Sequence, residues 1–485
     1  MTKIVKNKAL FIYLFAVLII AFFTYFQNYS KPAAVFWDEN YHIASASKYL
    51  EGVMYMEPHP PLGKLFIALG EYILHPNDTL NVHYFTQTDY IKKFPAGYSF
   101  EGMRLFPTLF GAFASVLFFL ILYRISRRQQ LSFLFTSLYL FANAFILQSR
   151  SAMLESTQTF FIFLSIYYFL VLFDRESKSW KEYFILGIFM GLAITVKING
   201  LIVTLLYPFL YFYRFNKSLG IFHHLKYFIG YGLSVLLGIL IIWVSVFYIH
   251  FNLGTTLGAK SYKASSQYKE ILKDHTESNP TNFPIMMKDS IAYMVDYTKH
   301  VPKYNPCKKG ENGSLATTWP FGNKSINYRW SKKDGKTSYL YLQINPIIWF
   351  SIFLSIVLAS ALMISKMIFG LHVKDTRLFY LISLFTFMYF SYMVVMFNAG
   401  RVMYLYHYFV PLFFGAFVLF LLYNYIFKEE LENNNKLLQF ATYIFIAEVI
   451  YVFWYFSVFT YYTPITTPEF IDREWFEFWK LKPIL

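Results

Sequence analysis

At 485 residues, with 56% hydrophobic and 22% aromatic side chains and 15% charged, the chain is more apolar than an ordinary soluble domain. Its formal net charge of +15 would suit a nucleic-acid binder, but the basic residues lie in short segments between long apolar runs. That distribution excludes nucleic acid as a partner and marks the loops of a polytopic membrane protein. A single cysteine, Cys307, excludes an internal disulfide and a thiolate metal cluster.

Lys3, Lys6 and Lys8 precede a first apolar run from about Ala9 to Phe26. Its core is longer than the apolar region of a signal peptide and no small-x-small cleavage site follows, so a retained helix is expected. Apolar runs of roughly 17–25 residues predict about eleven spans. They lie near 9–27, 104–124, 131–149, 153–173, 183–198, 200–213, 227–250, 346–368, 378–397, 402–427 and 437–459. The short fifth and sixth are joined by Lys197-Ile198-Asn199-Gly200, which reads as a break between half-length helices. The expected fold class is therefore an all-α polytopic membrane protein with two external loop regions. Its parts are a first transmembrane helix (1–27), an external loop (28–103), a bundle (104–250), a large external loop (251–345), a second bundle (346–459) and an external tail (460–485).

Lysine and arginine counts set the expected orientation. One side carries the N-terminal lysines, Arg124/Arg127/Arg128, Arg175/Lys178/Lys181, Arg214/Lys217/Lys226, Lys374/Arg377 and Lys428/Lys436. Short loops on the other side carry single basic residues: Arg150, Lys197 and Arg401. The basic side is read as cytoplasmic, with the N-terminus inside, the C-terminus outside and the protein in the cell (plasma or inner) membrane.

The first external loop opens with Val35-Phe36-Trp37-Asp38-Glu39-Asn40-Tyr41-His42, a carboxylate pair directly after a hydrophobic span. From Asp38 to Gly52 the pattern predicts a short helix with acids in its first turn. Pro60-Pro61 starts a second, whose stripe of Leu62, Leu65, Phe66, Leu69 and Ile73 predicts a helix lying in the membrane interface, with Lys64 and Glu71 opposite. In the large loop, Asp334-Gly335 between alternating runs around Ile326/Tyr328/Trp330 and Tyr339/Tyr341 predicts a hairpin.

Each polar motif carries two readings. Asp38 and Glu39 can complement a helix N-terminus, or one can serve as general base for an incoming hydroxyl, kept ionised by that same terminus. Glu57-Pro58-His59-Pro60-Pro61-Leu62-Gly63-Lys64 can be a turn whose lysine snorkels to headgroups, or part of a site. Arg104, Arg150, Glu155, Lys197 and Arg401 each end a span and can be anchors. Several cations on the side that the charge rule depletes would instead suit a phosphate. His42, His59, His75, His83 and His407 lack tight zinc-ligand spacing; no metal ligand is assigned and a divalent cation is left open. No Gly-rich phosphate loop precedes a helix, which argues against a nucleotide-driven pump and for a donor already activated in the membrane.

Taken together these blocks resemble the protein O-mannosyltransferase family, membrane glycosyltransferases of the GT-C class. Asp38-Glu39 resembles its acidic pair, and His59-Pro60-Pro61-Leu62-Gly63-Lys64 its His-Pro-Pro-Leu-(Gly/Ala)-Lys block. Arg104 opens the second span as the family's arginine does. Met153-Leu154-Glu155 with Thr159-Phe160-Phe161 is similar to its Met-Leu-Asp…Thr-Phe-Phe, and Gly191-Leu192-Ala193…Lys197…Gly200-Leu201 to its Gly-Leu-Ala…Lys-x-x-Gly-Leu. Trp319-Pro320, Asn345-Pro346…Trp349 and Arg401…Tyr406-His407…Pro411 complete the order. Glu155 stands where the family has aspartate. The length leaves no room for the soluble repeats of eukaryotic members, which implies the compact prokaryotic form.

The resemblance implies transfer of mannose from a polyprenyl-phosphate donor to Ser or Thr hydroxyls of an exported protein or peptide, with membrane lipids as surroundings. Asp38 is then the expected base, with Glu39 orienting it or the acceptor. His59, Lys64, Arg104, Glu155, Lys197, Arg401 and His407 are expected around the substrates, with Lys197, Arg104 and Arg401 neutralising the leaving phosphate. The competing readings are a GT-C transferase acting on a lipid or glycan, similar to the aminoarabinose transferases of lipid A, and a transporter of a polyprenyl-linked sugar. Tyr262, Tyr268, Trp319, Tyr328 and Trp330 in the large loop favour an extended peptide as acceptor.

Overall fold

The computed structural model describes residues 8–176, 178–213, 218, 220–258 and 261–484. Lys3, Lys6, Arg214, Lys217 and the side chain of Tyr262 lie outside the described part. Helix α1 (Lys8–Phe26) is followed by two short helices, α2 (Glu39–Leu50) and α3 (Leu62–Leu74), and by α4 (Glu101–Ser126). Then come α5 (Gln129–Leu140), α6 (Asn143–Ser149), α7 (Glu155–Phe173), α8 (Trp180–Val196), a 3₁₀ stretch (Ile198–Leu205) running into α9 (Leu206–Phe212), and α10 (Ile221–Leu253). The large loop holds α11 (Ser266–Lys273), α12 (Phe283–His300) and the strands β1 (Asn327–Lys333) and β2 (Lys336–Tyr341). The chain closes with α13 (Pro346–Phe369), α14 (Thr376–Phe397), α15 (Phe409–Ile426), α16 (Lys428–Glu432), α17 (Lys436–Thr460) and β3 (Pro464–Ile465).

Among the described residues eight helices are long and apolar enough to cross a membrane, or nine if α5 and α6, bent by 67°, form one span. The protein is a multi-pass, mostly helical membrane protein. The expected count of about eleven differs because two of the apolar runs are short as helices: α8, of 17 residues, falls just below the length of the other crossing helices, and the stretch 198–212 is shorter still. Lys197 is extended (φ −157°, ψ 134°) and ends α8. Gly200 then folds back so closely that a Cβ there would stand 2.5 Å from the Ala193 carbonyl oxygen.

Helix α7 has 19 residues, about 28 Å at 1.5 Å per residue, and its two ends differ in chemistry. Beyond its C-terminal end, Asp174 gathers Arg124 (3.1 Å) and Arg127 (2.6 Å) from the end of α4 and Arg377 (3.0 Å) from α14. Its first residue, Glu155, lies with the acidic pair and the half-length helix break. The basic loops thus meet at one end of the bundle and the candidate site at the other.

Only the far end of the apolar stripe on α3 faces outward, with Leu69, Tyr72, Ile73 and Leu74 exposed. Leu62 is buried, Phe66 packs on Phe106 and Phe110, and Lys64 and Glu71 are buried against the protein. Burial pushes the Glu71 carboxyl up to about 7, against the pull of its hydrogen bond from Asn77. Lys64 does not reach toward headgroups: its ammonium pairs with Glu57 at 2.5 Å.

The Asp334-Gly335 turn joins β1 to β2, and both residues adopt positive φ (51° and 73°), the type I′ geometry that matches strand twist. β3 adds antiparallel to β2. The large loop does not fold as one body. Tyr268, Ile271, Leu272 and Met286 pack with Phe247, Phe251 and Met54 into a small cluster of their own, whereas Tyr328, Tyr339 and Tyr341 join the main core.

Candidate active site

Asp38 occupies the N-cap position of α2, yet its carboxylate makes no capping hydrogen bond. The backbone carbonyl of Asp38 starts the helix, accepting from Tyr41 N (3.0 Å) and His42 N (3.3 Å). Among the described residues the one hydrogen bond to the half-buried carboxylate is a long one from the Tyr406 hydroxyl, 3.4 Å. Burial first, and then the nearby Glu155, push the Asp38 carboxyl up to about 6, while Lys197, Tyr406 and Lys64 pull it down. The result is a carboxylate ionised at neutral pH and more basic than a surface one.

Its neighbour Glu39 is wholly enclosed. It accepts Arg104 Nε (2.7 Å), Arg104 Nη2 (2.8 Å), the backbone N–H of Ala152 (2.9 Å) and that of Phe36 (3.1 Å). Arg104 in turn commits every one of its five N–H donors. Besides Glu39 it bonds the carbonyls of Ser30, Pro32 and Ala34, all at 2.9 Å, and its guanidinium lies between the rings of Phe36 and Phe100. Arg104, expected to meet a phosphate, has no donor left for one and instead clamps residues 30–39. Arg150 is likewise a staple, bonding the carbonyls of Gln27, Asn28 and Thr460.

A second acid–base pair is open. Lys197 Nζ lies 2.7 Å from Glu155 Oε1, and the other oxygen accepts Gln148 Nε2 at 2.9 Å. Among the described residues the lysine has a single hydrogen-bonding partner; it keeps contact with the Tyr406 ring (5.7 Å to the centroid) and faces a small cavity. That cavity is lined by Glu155, Gln158, Lys197, Tyr392, Tyr406 and His407, and places His407 opposite the helix break. Arg401, half-buried beside it, forms no ion pair with any described carboxylate. Lys197 lines the cavity and Arg401 acts on His407 and His59 from close by, so two cations stand near where a phosphate monoanion could bind.

His59 faces the same cluster. Burial, then Lys197, Lys64, His42 and Arg401, hold its imidazole well below the ordinary histidine range, so it stays neutral. His42 is also held neutral, down at about 3, with its Nδ1 2.7 Å from the Ala152 carbonyl oxygen. Gly63 explains why the block after His59 must be small there. A Cβ would meet Leu154 at 2.7 Å and Val196 at 3.1 Å, the residues directly before Glu155 and Lys197. The approach of α3 to the starts and ends of α7 and α8 therefore depends on that glycine. His75 and His83 lie apart, paired with Asp78 and Glu51. Among the described residues no three His, Cys, Asp or Glu side chains converge to hold a metal ion.

Three residues to which the sequence assigned no role complete the cluster. Trp37 adopts φ 52°, a left-handed conformation a bulky residue keeps only when its neighbours hold it. It stacks on Tyr328 (4.9 Å, 23°) and meets the edge of Tyr404 (5.1 Å). Gln148, buried in α6, links Tyr328 to Glu155. Tyr406 stands between Asp38 and Lys197. The available signals were an amide inside an apolar run and an aromatic directly before the acid pair.

Comparison with known proteins follows these features. Residues 15–255 match the family model of dolichyl-phosphate-mannose-protein mannosyltransferases, and residues 292–479 match the C-terminal four-transmembrane region of protein O-mannosyltransferase. Dolichyl-phosphate-mannose–protein mannosyltransferase 1 of Candida albicans is 30% identical over 54% of this chain and 31% of its own length. Protein O-mannosyl-transferase 1 of Danio rerio is 26% identical over 66% of this chain and 47% of its own length, so these matches span less than half of each relative. The S. cerevisiae protein O-mannosyltransferase Pmt1-Pmt2 complex, solved with its sugar donor, superposes with a TM-score of 0.82 at 14% identity, covering 97% of this chain and 92% of that one. The Archaeoglobus fulgidus oligosaccharyltransferase shares the fold more distantly, with a TM-score of 0.50 at 11% identity over 99% of this chain and 60% of that one. With both models matched in order along most of its length, the chain belongs to the protein O-mannosyltransferase family.

Proposed function

We propose that this protein transfers mannose, with inversion, from a polyprenyl-phosphate donor to Ser or Thr hydroxyls of exported proteins, at the membrane face away from the cytoplasm. The observation that carries the reading is Asp38: a basic carboxylate at a helix N-terminus that does not cap it, beside the open Lys197 and Arg401. The donor phosphate binds Lys197 and Arg401, and the sugar lies between that phosphate and Asp38. As the bond from the anomeric carbon to the phosphate oxygen breaks, its electrons go to the phosphate, whose charge the two cations offset. The acceptor oxygen attacks the opposite face of the sugar while Asp38 takes its proton, leaving O-mannosyl serine or threonine and polyprenyl phosphate. Glu39 and Arg104 hold the loop that aims Asp38. The names of the relatives and the solved donor complex support this donor class.

The test offers purified protein and polyprenyl-phosphate mannose a Ser/Thr peptide in one tube and a glycolipid acceptor in another. Mannosyl peptide is the expected product, and product confined to the glycolipid would overturn the protein-acceptor reading. Cys307 is exposed in the large loop, so a membrane-impermeant maleimide should label it in intact cells. Labelling only after the inner face is opened would reverse the orientation.

A further inference from the structure

We propose that Tyr328, on strand β1 of the large loop, is a positioning residue that ties the acceptor-side base loop to the donor-side lysine, closing a ring of contacts around the site. This rests on the transfer reading above. The ring face of Tyr328 stacks on Trp37 at 4.9 Å and on Phe36 at 6.0 Å, the two residues before Asp38. Its hydroxyl donates to Gln148 Oε1 at 2.7 Å. Gln148 Nε2 donates to Glu155 Oε2 at 2.9 Å, and Glu155 Oε1 holds Lys197 at 2.7 Å. From Lys197 the ring returns through the face of Tyr406, whose hydroxyl reaches Asp38. The next residue on the strand, Arg329, donates to the Val35 carbonyl at 3.0 Å, so the hairpin holds the same loop at two points.

The chemistry gives each half of Tyr328 a separate task. Gln148 is buried, and the ionised Glu155 can only accept, so the amide turns its NH₂ to the carboxylate. That leaves the amide oxygen in need of a donor, which the tyrosine O–H supplies. Without that hydroxyl the buried amide oxygen loses its donor, Gln148 is no longer anchored against Glu155, and Lys197 loses its fixed distance from the phosphate. The aromatic face has another effect. Trp37 is held in a left-handed conformation, and stacking of this kind is what keeps such a residue from relaxing and carrying Asp38 with it. Tyr328 is thus where the large external loop enters the reaction, although it touches neither reacting atom.

The experiment compares native full-length protein with Tyr328→Phe and Tyr328→Leu, reading donor KM, kcat, polyprenyl phosphate affinity and thermal midpoint. Tyr328→Phe keeps the stack and loses the hydroxyl. Donor KM and the Kd for polyprenyl phosphate should rise about five- to tenfold with the midpoint nearly unchanged. Tyr328→Leu also frees Trp37, so kcat at saturating donor should fall about tenfold further, and the acid limb of kcat/KM should move to lower pH as Asp38 becomes more hydrated. Tyr328→Phe with native donor KM and native lipid affinity overturns the proposal, whatever the leucine variant does. Should the native protein transfer no sugar to any acceptor, the transfer reading fails, and polyprenyl phosphate binding by the phenylalanine variant still decides the link to Lys197.

Discussion

The two carboxylate–cation pairs of this site, Glu39–Arg104 and Glu155–Lys197, have nearly equal separations, 2.7 Å in each, and opposite roles. In the first, both partners are fully buried and every lone pair and N–H is matched by protein. In the second, the lysine side chain retains 12% exposure and faces a cavity. A saturated pair has nothing left to offer a ligand and serves as a clamp; an unsaturated one can exchange partners with an incoming phosphate. The difference comes from donor accounting rather than from charge, since each pair is one acid and one base.

The sharpest way to separate the pairs is to remove the proposed base that lies beside both. Asp38→Asn should lower kcat by on the order of 10²–10⁴ while polyprenyl phosphate binding and thermal midpoint stay near native. Parallel loss of lipid binding would move Asp38 into the ligand-holding group.

Breaking the clamp should act on folding instead. Arg104→Leu leaves Glu39 charged and unpaired in the interior, a loss of about 3–5 kcal/mol. It should appear as a lowered thermal midpoint in detergent and poor expression. A folded Arg104→Leu protein with native stability and weak donor binding would reverse the assignment of the two pairs.

Opening the other pair should act on the donor. Lys197→Ala is expected to raise donor KM and slow transfer by about 10–100-fold, with a smaller effect on stability. Arg401→Ala should follow the same pattern more weakly, having no acid to leave behind. Normal transfer by both variants would return these cations to membrane anchoring.

The pH profile refines the comparison. The Asp38 carboxyl titrates at about 6 in the folded protein, raised above the ordinary 3.8. In the proposed reaction its ionised form is the base, so kcat/KM should be level above that pH and fall about tenfold per unit below it. Glu155 raises this value and Lys197 lowers it. Glu155→Gln should therefore move the acid limb to lower pH and Lys197→Ala to higher pH. Shifts in the same direction would mean that the open pair does not face Asp38.

The smallest expected effect concerns Glu155 itself. Glu155→Asp should keep the charge and shorten the reach to Lys197, changing kcat/KM by a few-fold at most. A larger loss would show that the span between Gln148 and Lys197 tolerates no other length.

Hydrophobic run length and turn chemistry act over a few residues, and what depends on them was legible in the sequence. The membrane class, the short helix after Asp38, the helix opened by Pro60-Pro61, the break at Lys197 to Gly200 and the Asp334-Gly335 turn all belong there. Ordered blocks also singled out Asp38, His59, Glu155, Lys197, Arg401 and His407, which the fold brings near one another, because motif order survives without coordinates. The partner of each charge was not legible. Arg104 looked as available as Lys197 until residues 30–39 wrapped its guanidinium, and Lys64 looked ready for headgroups until α3 turned it toward Glu57. The link from Tyr328 to Gln148 joins residues 180 positions apart. Such pairings are set by how helices and the hairpin pack, and packing distances between remote segments leave no local pattern to read.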